Sequence, residues 1–107
     1  MIVYGLKACD TCRKALRALR EAGLEAELRD VREVPLSEAD LLRFKAVFGE
    51  ALINRRSTTW RELSEEKRAQ DSVTLILAHP TLMKRPVIED GDILTLGWDA
   101  EAQARWL

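Results

Sequence analysis

The sequence predicts an α/β fold built on a mixed sheet of four strands. Its N-terminal third reads as a strand, a helix and a second strand, a unit whose two strands run parallel. Near the C-terminus, two β-prone runs flank an Asp-Gly pair, the strongest short signal for an antiparallel hairpin. Because both kinds of strand pair occur in one short chain, the predicted sheet is mixed and helices cover it.

The N-terminal unit can be followed element by element. Ile2–Tyr4 is β-prone and stops at Gly5, which predicts a strand followed by a loop. From Asp10 the apolar residues recur at helical spacing, and Gly23 supplies the stop. Apolar and charged residues then alternate over Leu24–Arg29, as in a strand with one buried face.

The middle of the chain, from about residue 37 to 80, is predicted as a helical insertion. Ser37 is a good N-cap for its first helix, and either Thr58 or Thr59 could cap a second, short one. The apolar run Val73–Leu77 fits a buried strand or a buried helix, and the polar residues before it favour the helix.

The C-terminal part returns to strands. Pro86–Ile88 and Ile93–Leu96 form the hairpin around Asp90-Gly91, and Asp99 caps a last short helix. With this ending, residues 1–107 have the element order of a single thioredoxin-like domain.

Composition excludes several classes of function. The chain has 107 residues, with 17 Lys and Arg against 18 Asp and Glu, and a net charge of -1 argues against direct nucleic-acid binding. No apolar run is long enough to span a bilayer, and the N-terminus lacks the pattern of a signal peptide. We therefore expect a cytoplasmic protein with no membrane partner.

The chemistry is expected at a Cys-x-x-Cys motif where the first strand's loop meets the helix. Cys9 stands at the helix start, where free N–H groups and the helix dipole stabilise a thiolate. Lys7, Arg13 and Lys14 add positive charge nearby. Cys12, about one turn later, is within reach to resolve a mixed disulfide on Cys9.

Two other interpretations of these cysteines are weaker. A structural zinc site needs four ligands, whereas the chain offers two cysteines and one histidine, His79, so no metal is expected. Cys12 lies on the apolar face of the predicted helix and could simply be buried there.

A second candidate segment precedes the hairpin. Pro86 falls at the first residue of a strand, where the missing N–H is tolerated, and its cis or trans state is left open by the sequence. By residue type alone, Arg85 would be an ordinary surface arginine.

Four motifs resemble one known family. Tyr4–Thr11 resembles the active-site loop of YffB-like proteins, and Cys9–Ala15 resembles the redox motif of Spx regulators. Leu52–Trp60 is again similar to the YffB-like pattern, and His79–Val87 resembles a segment that these groups share with arsenate reductases. The chain thus resembles the arsenate reductase-like (ArsC) branch of thioredoxin-fold proteins, closest to the YffB-like and Spx groups.

The resemblance implies a site. It makes Cys9 the nucleophile and Arg85 the group that holds an oxyanion or a substrate carboxylate, while a second arginine is either Arg55 or Arg56. A guanidinium suits this task because its planar fork binds such anions at two points. The candidate catalytic residues are Cys9, Cys12 and Arg85, and the candidate substrate-binding residues are Arg13, Arg55, Arg56 and Pro86.

The resemblance also implies two functions. The first is a thiol reductase that holds no bound cofactor, uses glutathione or another thiol as co-substrate and has glutaredoxin as a candidate partner. Arsenate reductases carry a further arginine where this chain has Leu96-Gly97-Trp98, which argues for a natural substrate other than arsenate. The alternative is an Spx-like regulator that binds RNA polymerase through a Cys9–Cys12 switch.

Overall fold

A computed structural model of the chain describes residues 1–107 as a four-stranded sheet with six α-helices. The strands are β1 (Ile2–Gly5), β2 (Glu27–Asp30), β3 (Val87–Asp90) and β4 (Ile93–Leu96). The α-helices are α1 (Asp10–Glu21), α2 (Glu38–Phe48), α3 (Thr58–Glu62), α4 (Glu65–Arg68), α5 (Ser72–Ala78) and α6 (Ala100–Trp106). Short 3-10 helices span Gly49–Leu52 and Pro80–Leu82. No helix is both long and apolar enough to cross a membrane.

The sheet has the predicted mixed form. Its strand order is β2-β1-β3-β4. β1 and β2 are parallel, whereas β3 is antiparallel to both β1 and β4. Val3 at the centre lies opposite Leu28 on one side and Ile88 on the other. The predicted fold class, α/β with a mixed four-stranded sheet, is therefore confirmed.

The chain divides into two compact units. The first consists of Met1–Val34 and Arg85–Leu107, and it contains the whole sheet with α1 and α6. The second is Pro35–Lys84, which contains the other helices and includes the predicted helical insertion of about residues 37–80. That the two units make one domain stays a prediction.

The core of the first unit lies between α1 and one face of the sheet. Val3 and Ile88 from the central strands pack in one buried cluster with Ala15 and Leu19 of α1. Their positions in α1 repeat at helical spacing, as the sequence predicts. α6 adds Trp106, whose indole Nε1 donates a hydrogen bond of 2.7 Å to Thr95 on β4.

In the second unit, two helices begin where the sequence predicts. The Ser37 hydroxyl accepts a hydrogen bond from the Asp40 N–H at the start of α2. The Asp71 carboxylate caps α5 in the same way, so Val73–Leu77 belongs to a helix. α3 is different, because its N-cap is Ser57 and not Thr58 or Thr59. Those threonines are already inside the helix.

Several strand boundaries differ from the predicted ones. β1 includes Gly5, and β3 begins at Val87 and not at Pro86. β2 begins at Glu27 and not at Leu24, because residues 24–26 make the turn out of α1. In the hairpin, Asp90 still pairs with Ile93, so the two-residue turn is Gly91-Asp92. The backbone φ angle of Gly91 is 60°, a left-handed conformation that residues with a side chain rarely adopt.

Candidate active site

Cys9 occupies the junction between the β1 loop and α1. It is the N-cap of α1, and its extended backbone (φ -84°, ψ 118°) turns the chain into the helix. Its N–H donates to the Leu6 carbonyl at 3.1 Å, and its carbonyl accepts from the Arg13 N–H at 3.0 Å. These two bonds fix the backbone of Cys9, and the residue as a whole is half-buried.

The thiol of Cys9 is more acidic than an ordinary thiol. Burial raises the pKa of Cys9, but hydrogen-bonding interactions from the Cys12 N–H, the Cys12 thiol and the Arg85 guanidinium together lower it below its usual value. The favoured thiolate is the nucleophilic form of cysteine.

Cys12 has the opposite character. Its side chain is fully buried. Burial raises the pKa of Cys12 to about 12, and the interaction with Cys9 adds to this rise. Cys12 therefore keeps its proton at neutral pH and donates it toward the Cys9 sulfur. Sequence reasoning placed Cys12 within reach of Cys9 but did not identify this donor role.

Gly5 makes the space that Cys12 occupies. A Cβ atom on Gly5 would lie 2.4 Å from the Cys12 Sγ and 3.2 Å from its Cβ, closer than real Cβ contacts allow. A side chain at the end of β1 would thus displace the buried thiol. From the sequence, Gly5 is predicted only as the residue that stops the strand, whereas it is the last residue of β1.

Arg85 reaches Cys9 because of the sheet topology. β3 runs antiparallel to β1, so the start of β3 lies beside the end of β1, from which the Cys9 loop leaves. Arg85 directly precedes β3, and its guanidinium lowers the pKa of Cys9 through a hydrogen bond and through its charge. The Arg85–Pro86 peptide is cis, an isomer that the sequence left open. The Pro86 carbonyl accepts from the Gly97 N–H at 2.8 Å.

Of the three cations near Cys9 in sequence, Lys7 and Arg13 are paired with carboxylates, and Lys14 is not among the groups that shift the pKa of Cys9. The Lys7 ammonium pairs with Glu33 at 2.8 Å, and Arg13 pairs with Asp10 on the exposed side of α1. Neither is among the groups that shift the pKa of Cys9. The groups that stabilise the thiolate are therefore Cys12 and Arg85, which is distant in sequence, and not the neighbouring cations that the sequence suggests.

Arg55 and Arg56 belong to the second unit. Arg55 stacks on Trp60, with its guanidinium carbon 5.3 Å from the ring centre, and donates to the Glu50 carboxylate at 3.3 Å. Arg56 is exposed, and its backbone groups bond to Asn54 and Arg61.

The chain has no group of three or more His, Cys, Asp or Glu side chains that is placed to hold a metal ion.

Comparison with known proteins identifies the family. The model of the ArsC family matches residues 4–105. The chain belongs to the ArsC family. The solved structure of a YFFB protein is 35% identical, covers 99% of this chain and 97% of its own, and superposes with a TM-score of 0.91.

Two relatives that are similar to this chain over nearly its whole length have different descriptions. An uncharacterized protein of Haemophilus influenzae (strain Rd) is 42% identical over 95% of this chain and 95% of its own length. The global transcriptional regulator Spx of Bacillus subtilis (strain 168) is 31% identical over 98% of this chain and 85% of its own. The resemblance to the ArsC, YffB-like and Spx groups is confirmed.

Proposed function

We propose that this ArsC family member is a thiol-dependent oxidoreductase with Cys9 as its nucleophile. One observation carries the proposal. The half-buried Cys9 thiol has a lowered pKa and faces the Arg85 guanidinium, so a thiolate and an anion-binding group lie side by side. This arrangement suits a substrate whose reacting atom sits next to an oxyanion or a carboxylate.

The proposed reaction is thiol–disulfide exchange with glutathione. The Cys9 thiolate attacks a mixed disulfide of substrate and glutathione, which forms a Cys9–glutathione disulfide and releases the substrate as a thiolate. A second glutathione thiolate then attacks that disulfide, which restores the Cys9 thiolate and releases oxidised glutathione. A lowered pKa helps the second step, because it makes the Cys9 sulfur a better leaving group.

An oxyanion is the other substrate class to test. In arsenate reductases the implied reaction is attack of the cysteine thiolate on arsenate, with glutathione and glutaredoxin completing the reduction. Gly97 stands where those enzymes carry a further arginine, so arsenate turnover here would depend on fewer cationic groups. Arg85 is proposed as the oxyanion binder, together with the backbone at Pro86. The Arg13 guanidinium is paired with Asp10, so Arg13, like Arg55 and Arg56, stays a prediction from the sequence as a further anion-binding residue.

The second arginine stays open between Arg55 and Arg56, which both belong to the second unit. The Arg55 guanidinium is already committed to Glu50 and Trp60, whereas Arg56 is exposed and engaged through its backbone. Substituting each arginine by alanine separates them. Loss of anion affinity in only one of the two variants would identify the binding arginine, and unchanged affinity in both would reject the prediction.

The first test is a coupled assay. NADPH oxidation is followed through glutathione reductase in the presence of glutathione and glutaredoxin, with arsenate or a glutathione mixed disulfide as substrate. Cys9→Ser should remove turnover on either substrate, because a hydroxyl is not ionised at neutral pH. Equal rates for the wild type and Cys9→Ser would reject the proposal.

Arg85 is tested by measuring the sulfate and arsenate affinity of the protein directly, by titration calorimetry. We expect Arg85→Ala to weaken anion binding by about 1.5–3 kcal/mol, as for a hydrogen bond to a charged group. Arg105→Ala, which removes an exposed arginine from α6, is the matched control and should change nothing. Unchanged sulfate or arsenate affinity in Arg85→Ala would reject this role.

The similarity to Spx favours a second candidate function. A redox-sensing regulator would use a Cys9–Cys12 disulfide to change its affinity for RNA polymerase. The 31% identity to the Bacillus subtilis regulator and the shared Cys-x-x-Cys motif support it. Polymerase capture that depends on oxidation and is lost in Cys12→Ser, with no turnover in the coupled assay, would favour this candidate.

A further inference from the structure

One carboxylate fastens the loop that carries Cys9 to the end of β2. The Asp30 Oδ2 accepts the backbone N–H of Lys7 at 3.0 Å. Its Oδ1 accepts the Arg32 N–H at 2.8 Å and the Glu33 N–H at 3.4 Å, which closes the turn after β2. Asp30 therefore joins two segments that are far apart in sequence.

The other contacts between these segments are of different kinds. The Val31 N–H donates to the Gly5 carbonyl at 2.9 Å, which extends the β1–β2 ladder but ends before the loop. The Lys7–Glu33 ion pair is exposed at both ends, and such pairs contribute little. The Asp30 carboxylate is thus the contact that holds the loop backbone itself.

The loop in turn places both sulfurs. Lys7 lies inside the tight turn that the Cys9 N–H and Leu6 carbonyl close at 3.1 Å. The Leu6 backbone also hydrogen-bonds to the Cys12 sulfur. A shift of the loop would therefore move Cys9 away from its donors and disturb Cys12 as well.

We propose that Asp30 is a positioning residue that holds the Leu6–Cys9 turn, and with it the Cys9 sulfur, beside the Cys12 thiol and the Arg85 guanidinium. The inference rests on the proposed function in so far as Cys9 is the reactive thiol. Hydrogen bonds, the one from Lys7 first, keep the pKa of Asp30 below its ordinary value. The carboxylate is therefore ionised throughout the range in which Cys9 titrates.

Asp30→Asn tests the proposal by the direction in which it shifts the pKa of Cys9. The asparagine keeps the shape of the side chain but can accept on one atom only, so it cannot satisfy both the loop and the turn. Loss of positioning should raise the pKa of Cys9 by about one unit, which means roughly tenfold less thiolate below both pKa values. Loss of a negative charge alone would lower the pKa of Cys9, since a nearby carboxylate disfavours a thiolate.

Glu33→Gln is the matched control. It removes a carboxylate from the same turn and from the same lysine, but leaves the bond between Asp30 and the Lys7 backbone in place. The pKa of Cys9 is measured from thiolate absorbance and from the pH dependence of alkylation, with the modified cysteine located by mass spectrometry. Thermal unfolding of each variant separates a local shift from a loss of stability.

The outcomes are distinct. A raised Cys9 pKa in Asp30→Asn with no rise in Glu33→Gln supports the proposal. A lowered wild-type pKa that Asp30→Asn leaves unchanged overturns the positioning role alone, whereas an ordinary wild-type pKa overturns the proposed function. Should Asp30→Asn fail to fold, amide hydrogen exchange in the wild type decides, because an unprotected Lys7 N–H contradicts the proposal.

Discussion

At the residue scale, the two cysteines acquire different chemistry from different surroundings. Cys9 is half-buried and faces hydrogen-bond donors, whereas Cys12 is enclosed by the end of β1 and the first turn of α1. Burial disfavours the charged form of a thiol, and donors favour it. One cysteine is thus prepared to attack, and the other to donate a proton toward it.

The first prediction separates these roles. Cys12→Ala removes the thiol donor, so the pKa of Cys9 should rise by about one unit, near 1.4 kcal/mol. Cys12→Ser keeps a hydroxyl donor and should restore much of the lowered value, although no Cys9–Cys12 disulfide can form. Alkylation rates from pH 5 to 9 measure this, since the rate grows as the thiolate forms with rising pH. A Cys9 pKa that is unchanged in Cys12→Ala would contradict the donor role.

A second residue-scale prediction concerns Gly5. Gly5→Ala places a Cβ atom against the Cys12 Sγ and should cost about 1–3 kcal/mol of unfolding free energy, as for overpacking of a core. Denaturant unfolding measures the loss. The cost should shrink in a Cys12→Ala background, where the closer contact is absent. Equal costs in both backgrounds would show that the strain lies elsewhere.

At the element scale, helix starts follow from local chemistry. Ser37 and Asp99 each cap the helix for which the sequence predicts them, because each side chain accepts an N–H of the first turn. For α5 the sequence leaves Asp71 and Ser72 open as the cap, and the structure shows Asp71. The start of β2 was misplaced, since alternation of apolar residues continues through the turn at 24–26. Periodicity reports which face is buried and does not report where strand pairing begins.

The cap of α6 gives the prediction for this scale. Asp99→Ala removes the bond that the Ala102 N–H donates at 2.9 Å, and should cost about 1 kcal/mol. Asp99→Asn should cost less, because its amide oxygen can still accept. Asp92→Ala in the hairpin turn is a control that removes the same charge with no helix cap. Thermal unfolding compares the three, and equal losses for Ala and Asn would argue against capping.

At the scale of the whole molecule, the sheet is built from two segments of the chain that lie before and after the second unit. β1 and β3 pair directly, although Pro35–Lys84 separates their segments in the chain. The first unit therefore cannot complete its sheet until the chain returns from the second. The site has the same dependence, because Arg85 is the first residue after the second unit.

The corresponding prediction is a single cooperative unfolding transition. Calorimetric and van't Hoff enthalpies should agree, and the loss of near-ultraviolet and far-ultraviolet signals should coincide. This result would support the single-domain interpretation of residues 1–107. Two separated transitions would mean that the units unfold independently.

The sequence by itself determined the local features. The Cys-x-x-Cys motif at a helix start, most helix caps, the hairpin and the mixed sheet follow from spacing and residue type over a few turns of chain. The family motifs singled out Arg85 without giving a physical reason for its nearness to Cys9. Local sequence also suggests Lys7, Arg13 and Lys14 as stabilising cations, whereas none of them is among the groups that shift the pKa of Cys9. Lys7 and Arg13 each have a carboxylate partner of their own.

Only the tertiary structure decided which groups act on the Cys9 sulfur. The antiparallel pairing of β1 with β3 brings Arg85 to the thiol, and the burial of Cys12 against Gly5 makes it a proton donor. Asp30 reaches the loop from the end of β2. Each of these contacts joins residues from separate elements. Propensity and periodicity describe neighbours along the chain, whereas such contacts depend on how strands pair and on which side chains lose water when the core forms.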